Sequence, residues 1–384
     1  MVEILLVVGL AVAVFVGFNI GGSSTGVAFG PAVGSNVLTK LAAAGLMTGF
    51  ALLGGWTVGR NVIRTMGSGL VAEQFTLPAS VAVLFFVGLA LLISNTFGVP
   101  ASTSMTAVGA IAGLGMAKGT LIAEKMLEIV SWWIVAPILA FWVCAVIGRY
   151  VYPYLEARFA IDRTPGRLLE LDRSGTLPRP RLGEGTTARE FLGTVVVIVI
   201  ACYMAFSAGA SNTANAVAPL VGGRIVDIET GILLAAVAIG LGAFTIARRT
   251  LDTVGNDLTD LPILAALIVE VVSASIITGL SAMGIPASLA VSATMCIVGL
   301  GWGRATRTAT IGEAVRGQGP DVSVDALAAE PQGEVPSVGE EDDLDLTAGD
   351  LFDPSTTGRV IFFWMLTPSV SALASYLVFA YTPL

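Results

Sequence analysis

The stretch Gly209-Ala-Ser-Asn-Thr-Ala-Asn215, followed by Ala216-Val-Ala-Pro219, interrupts a long apolar run, and Gly21-Gly-Ser-Ser-Thr25 stands at the matching place near the start of the chain. From this pair the match extends outward. Forty-four residues after Gly21 and after Gly209 come Thr65-Met-Gly67 and Thr253-Val-Gly255. Next come Gly-Val-Pro100-Ala-Ser102 and Gly-Ile-Pro286-Ala-Ser288, at nearly equal distances past those threonines. Trp133-Ile-Val-Ala-Pro137 then answers Trp364-Met-Leu-Thr-Pro368. Only this last interval differs much: Pro286 to Trp364 is more than twice as long as Pro100 to Trp133. Four anchors in one order at nearly one spacing mark the two halves as internal repeats.

The surroundings of these anchors are apolar. Of 384 residues, 55% are hydrophobic and 12% charged, and the mean hydropathy is +0.84. Ten apolar segments stand out, at 4–20, 37–58, 78–95, 100–117, 126–149, 191–207, 229–246, 259–282, 286–303 and 358–380. A run of about 20 apolar residues crosses a hydrocarbon core of roughly 30 Å as a helix. The expected fold is therefore all-α: a polytopic membrane helical bundle of two five-span repeats. The 45 glycines suit membrane helices, where small residues permit close packing and interrupted helices. Residues 1–150 form the first repeat, 151–190 a polar linker, 191–303 the first four spans of the second repeat, 304–357 a polar loop and 358–384 the last span. The long loop 304–357 accounts for the stretched last interval. The first segment reads as a span rather than a removed signal.

Much of the net charge of −8 lies in residues 321–353, which hold eleven acids and no base. Such a run repels itself and reads as a solvated loop. If loops alternate across ten spans, one side receives 15 of the 20 basic residues, including Arg248 and Arg249. Lys and Arg favour the cytoplasmic side, which puts the linker and the acidic loop in the cytoplasm and both termini outside. Five spans per repeat is an odd number, so the second repeat runs inverted to the first. Inverted repeats build carriers with the substrate site at the repeat interface near mid-membrane.

Four uncharged segments combine Gly, Pro and hydroxyl residues: Gly21–Thr25, Pro100–Ser104, Gly209–Asn215 and Pro286–Ser288. Glycine and proline interrupt helices, and Ser, Thr and Asn cap the helix that follows. Converging helix N-termini offer N–H and hydroxyl donors to an oxyanion. Broken or re-entrant helices are thus expected at Ser23, Ser24, Thr25, Ser102, Thr103, Ser104, Ser211, Asn212, Asn215 and Ser288. Taken singly, each segment also reads as a cap or a close-packing stripe; recurrence in both halves favours a site. Glu270, flanked by Leu, Ile and Val, is an intramembrane carboxylate and by default a functional group. It suits a coupling cation or a proton, with a packing role as the alternative; Asn212 is the second candidate for cation coupling. Arg60, Arg64, Arg248 and Arg249 flank span ends, where snorkelling to the interface is expected. Cys144, Cys202 and Cys296 lie in apolar runs and read as inert thiols.

Enzyme signatures are missing from the sequence: there is no histidine, no metal-spaced Cys cluster, no nucleophile elbow and no phosphate-binding loop with its Lys. An acidic chain also lacks the basic patches of nucleic-acid binders. No cofactor or structural metal is called for beyond Na+ or H+ as coupling ion.

These motifs resemble the inorganic phosphate transporter (PiT) family of secondary carriers, which repeats a Gly-Ala-Asn-Asp-Val-Ala-Asn signature and a Pro-Ser-Thr signature in each half. The resemblance covers nearly all the spans. It implies cation-coupled symport of phosphate, a functional glutamate at Glu270, in the span ahead of Pro286, and homodimers in the bilayer. The departures are specific. The signature aspartates fall at Ser24 and Asn212, and the asparagines at Ser23, Val27, Ser211 and Asn215, of which only Asn215 is kept. Leu289 and Ala290 replace hydroxyl residues in the second Pro-Ser-Thr copy. In the family the acids help to bind sodium, so their loss bears on sodium coupling. A site without acids also suits sulfate, which has no proton to donate and needs donors only. The remaining alternatives are a non-transporting anion sensor or scaffold, which the eroded second copy suggests, and a passive channel.

Overall fold

The computed structural model describes residues 2–35, 37–96, 102–158, 169–172, 179–182, 187–247, 262–308 and 354–382. Pro100 and Ala101, Arg248 and Arg249, Thr253–Gly255 and the acidic run 321–353 lie outside the described residues.

Each of the ten apolar segments falls on a helix. The helices are α1 (Val2–Gly34), α2 (Lys40–Thr57), α3 (Gly59–Arg64), α4 (Leu77–Thr96), α5 (Thr103–Lys118), α6 (Ala123–Val146), α7 (Tyr152–Arg158), α8 (Ala188–Gly222), α9 (Ile228–Thr245), α10 (Ile263–Ala282), α11 (Leu289–Ala305) and α12 (Pro354–Tyr381). Short π-helical turns at Thr65–Gly69 and Ile147–Val151 extend α3 and link α6 to α7. Among the described residues, six helical stretches are long and apolar enough to cross a membrane, or seven if α2 and the α3 segment, bent by 60°, count as one broken span. The linker contributes α7 and a small antiparallel pair, Leu169–Asp172 with Arg179–Leu182. The last helix starts at Pro354, ahead of the expected 358.

One expectation is overturned. The Gly-rich stretches 21–25 and 209–215 do not break their helices: α1 runs unbroken for 33 residues and α8 for 35. The glycines serve close approach instead. A Cβ on Gly21 would collide with the Ile239 carbonyl of α9, and one on Gly209 with the Ala51 carbonyl of α2. Gly242 lies in the same way on Phe18, and Gly54 on Phe206. Nor do the local threonines cap anything: Thr25 Oγ1 donates to Gly21 O (2.6 Å) and Thr213 Oγ1 to Gly209 O (2.7 Å), one turn back.

These contacts carry the repeat into three dimensions. Gly209 follows Gly21 by 188 positions, and the same 188 separates Gly242 from Gly54, Ile239 from Ala51 and Phe206 from Phe18. The α1–α9 and α2–α8 crossings are therefore one interface built twice. A second pair behaves alike. Gly113 of α5 presses on the Ala372 carbonyl of α12, and Gly299 of α11 on the Phe141 carbonyl of α6. Gly299 follows Gly113 by 186 positions, as Ser288 follows Ser102, while Ala372 follows Phe141 by the 231 that separate Pro368 from Pro137. Each half thus lends its fourth and fifth long helices to the other. Between helices in lipid, apolar surface gives no hydrophobic driving force, and small residues that let backbones touch supply the packing instead.

α5 and α11 are short, 16 and 17 residues, a rise of about 24–26 Å. α4 and α5 form a hairpin whose open end is tied by a bridge: Ala72 N donates to Thr120 O (2.8 Å) and Ile122 N to Leu70 O (2.9 Å). The chain therefore leaves this hairpin beside the point where it entered.

Replacing Gly21 or Gly209 with Leu should push two helices apart and cost about 1–3 kcal/mol or more, the usual range for overpacking. It should be read as a lower thermal midpoint in detergent. Gly193→Ala is the control: a Cβ there meets nothing within 4 Å, and helix propensity favours it by up to about 1 kcal/mol.

Candidate functional site

The two short helices begin with the caps expected of them. Ser102 Oγ accepts from Met105 N (3.3 Å) at the start of α5, and Ser288 Oγ from Val291 N (3.3 Å) at the start of α11. Both serines are buried. Such an end presents unpaired N–H groups and the positive pole of the helix dipole.

The α5 end meets α8 through a bridge between the halves. Asn215 Nδ2 donates to Ser104 Oγ (3.1 Å) and to Asn212 Oδ1 (3.0 Å), and all three residues are buried. Ser211, one turn before Asn215, is fully buried with no partner for its hydroxyl. The structure thus brings together Ser104, Asn212 and Asn215, with Ser102 capping the helix that carries Ser104 and with Thr103 between them. A buried polar atom without a protein partner calls for water or a ligand. Among the described residues, such atoms occur on Ser211 and Asn215 of α8 and on Glu270, Thr278 and Ser281 of α10. Such unpartnered atoms recur along these two helices among the described residues.

The other half is not equivalent. The same offsets place Val27 opposite Asn215, Ala290 opposite Ser104 and Ser24 opposite Asn212. Ser23 is exposed, its hydroxyl donating to Asn19 O and Ile20 O (both 3.2 Å), and Ser24 is half-buried. Thr25 is buried, with its hydroxyl bonded to its own helix. Ser288 sits on a tip held from the first half: Trp133 Nε1 donates to Pro286 O (2.8 Å) and Asn61 Nδ2 to Ala282 O (2.9 Å). In that tip Gly284 has φ +75°, and a Cβ would lie 2.7 Å from Thr65 Oγ1. A side chain would be strained there on both counts. Asn61 and Trp133 were not among the expected site residues. Trp133 was visible as a repeat anchor, whereas Asn61 had no partner in the repeat to signal it.

Glu270 lies on α10, with its carboxylate buried and neither oxygen hydrogen-bonded. α10 is registered on α8 by Ser207 Oγ donating to Ala274 O (3.1 Å), and Ser273 Oγ lies 4.0 Å from Met204 Sδ. Met204 precedes Asn212 by eight residues, about 12 Å along a helix. Glu270 is therefore set apart from the donor cluster rather than within it. No group of three or more His, Cys, Asp or Glu is placed to hold a metal among the described residues.

A family profile described as "Phosphate transporter family" matches residues 20–375. The chain is 28% identical, over 75% of its own length and 75% of the relative's, to sulfate permease CysP of Bacillus subtilis. It is 26% identical, over 76% of its own length and 88% of the relative's, to a Chlamydia muridarum protein named provisionally as a phosphate permease. Among solved structures, a sodium-dependent phosphate transporter superposes with a TM-score of 0.67 at 18% identity, covering 98% of each chain. At that identity the likeness speaks for the fold.

Ser102→Ala and Ser288→Ala should each cost about 1 kcal/mol through loss of a cap. In a double-mutant cycle, Ser104→Ala and Asn215→Ala should be non-additive by about 0.5–3 kcal/mol, measured as unfolding stability. Additive costs would show that the two side chains do not interact.

Proposed function

The chain belongs to the phosphate transporter family, and we propose that it is a secondary active carrier, not an enzyme, that moves inorganic phosphate inward together with a cation. The observation that supports this best is the Asn215–Ser104 bridge. It joins one half's unbroken helix to the other half's helix N-terminus in a buried, uncharged, donor-rich place. A tetrahedral oxyanion seated there would take hydrogen bonds from hydroxyls, carboxamides and the first N–H groups of α5, with the helix dipole adding its partial positive charge. Ser102, Thr103, Ser104, Ser211, Asn212 and Asn215 are assigned to this binding region. Ser23, Ser24, Thr25 and Ser288 form the weaker counterpart across the repeat axis. Coupling is assigned to Glu270, with Asn212 as the second candidate.

The repeats are read as inverted. The α4–α5 hairpin returns the chain to its starting side whether or not its limbs cross fully, so α1, α2 with α3, and α6 leave an odd number of crossings in the first half. With the basic residues concentrated on one side, the linker faces the cytoplasm and the termini face outward. Rocking of one set of helices against the other about the doubled crossings gives alternating access. The protein works in the lipid bilayer, and the family resemblance supports a homodimer.

Sulfate is a second reading, favoured by one observation. Where the family has two aspartates this chain has Ser24 and Asn212, and a carboxylate acceptor serves only an anion that carries a proton.

Purified protein in liposomes should take up labelled phosphate or sulfate, and Asn215→Ala should cut uptake at least tenfold, the usual scale for a lost buried hydrogen-bond pair. Absence of uptake of both anions under every imposed gradient would overturn the reading.

A further inference from the structure

Whatever anion the protein carries, we infer that a groove on the outer face of the bundle is a binding site for one anionic phospholipid. The groove runs between the α6–α7 junction, α8 and α10 and measures about 300 Å³. Ile147, Val151 and Leu155 form one wall, and α8 from Gly193 to Ile200 and α10 from Leu264 to Val272 form the others. Val151, Val196 and Val271 are each more than a third exposed, so the groove opens outward, toward lipid. A space of this size has room for several waters, but each needs two to four polar partners. The lining offers no polar side chain. Hydrocarbon is the occupant that such walls accept.

The dimensions match one leaflet. Gly193 to Ile200 and Leu264 to Val272 rise about 10–12 Å as helix, against roughly 15 Å for half of a ~30 Å hydrocarbon core. About one turn beyond Ile200 and Val272, the Tyr203 hydroxyl donates to Ser275 Oγ (3.3 Å) and ties α8 to α10 at the deep end. The space is also particular to this half. The bounds of α4 and α10 differ by 186 at both ends, which places Phe85 and Phe86 opposite Val271 and Val272. The offset of 188 between α1 and α8 places Leu5 opposite Gly193. Larger side chains thus stand on the mirrored wall, whereas a Cβ on Gly193 meets nothing within 4 Å. The groove follows from these small residues and not from the repeat itself.

Charge at the α7 end selects the headgroup. Arg158 follows the groove residue Leu155 by three positions on α7, which puts both on one face, and Arg158 is exposed. Arg307 lies over the ring of Tyr154, 5.9 Å from its centre, and donates to Arg149 O (2.7 Å), while Arg149 donates to Thr306 O. Arg304 and Glu156 both act electrostatically on Tyr152 in the same corner. These four arginines stand against two carboxylates, Glu156 of α7 and Glu190 in the first turn of α8. Tyr150 and Tyr154 are exposed, as aromatic residues at headgroup level are. Basic pockets between membrane helices take acidic headgroups. The lipid therefore lies in the leaflet on the α7 side, with one acyl chain in the groove and its phosphate at Arg158.

The test titrates full-length, delipidated protein in mild detergent with phosphatidylglycerol and with phosphatidylcholine of the same chains, and counts bound lipid by native mass spectrometry. One phosphatidylglycerol per chain should be held, about tenfold more strongly than phosphatidylcholine. Gly193→Leu, which fills the groove, should weaken that binding about tenfold by overlap with the acyl chain. Its thermal midpoint in lipid-free detergent should stay unchanged. Arg158→Gln should reduce the preference for phosphatidylglycerol about fivefold, the scale of one basic residue beside acidic lipid. Equal binding of the two lipids, an unchanged preference in Arg158→Gln, or unchanged binding by Gly193→Leu overturns the inference. A Gly193→Leu protein that turns from dimer to monomer with the same lipid count overturns it in favour of an interface between two copies. Should Gly193→Leu not fold, Val271→Phe, which copies Phe85 of the mirrored wall, fills the same space and decides in its place. Every one of these outcomes leaves the carrier reading to its own uptake assay.

Discussion

The architecture depends on backbone touching backbone. Gly21 on Ile239 and Gly209 on Ala51 leave no room for a Cβ, and neither do Gly113 on Ala372 and Gly299 on Phe141. In water, burying larger side chains could hold the same helices together. In lipid the outside is as apolar as the inside, so packing at the closest distance and hydrogen bonds between helices take over. Both crossings of each kind use equivalent residues of the two halves.

What this close fit positions is a small polar island. α8 is pressed to α2 at Gly209, within two turns of Asn215, so the height of Asn215 is set by the crossing. α5 is pressed to α12 at Gly113, nine residues after Ser104. The Asn215–Ser104 bond is the meeting point of two elements whose places are fixed elsewhere, and in the proposed carrier such preorganisation would let uncharged donors take an anion without first being reordered. Asymmetry enters at this same point. Val27 and Ala290 occupy the mirrored positions, so the polar island is built from one side of the axis while the scaffold remains double.

The helices, their order and the repeat were legible because hydrophobic length and anchor spacing survive without any three-dimensional knowledge. The caps at Ser102 and Ser288 were legible too, since a serine after proline at the head of an apolar run has few other uses. The Gly-rich stretches were misjudged. A glycine pair beside serines is as consistent with a broken helix as with a tight crossing, and only the partner at Ile239 or Ala51 tells them apart. Thr25 belongs to the same case, its hydroxyl bonded one turn back instead of capping. Asn61, which holds the tip at Ala282, is remote in sequence from everything it serves. Glu270 was conspicuous as a carboxylate in an apolar run; that both its oxygens are unpartnered is visible only in the fold.

The most direct test of the central claim is an experimental structure of the protein in lipid with the transported anion bound. A tetrahedral density within hydrogen-bonding distance of Ser104, Asn212 and Asn215, at the N-terminal end of α5, is the predicted result. Density in another cavity, or Ser104 and Asn215 lying on separated helices with lipid between them, would contradict it.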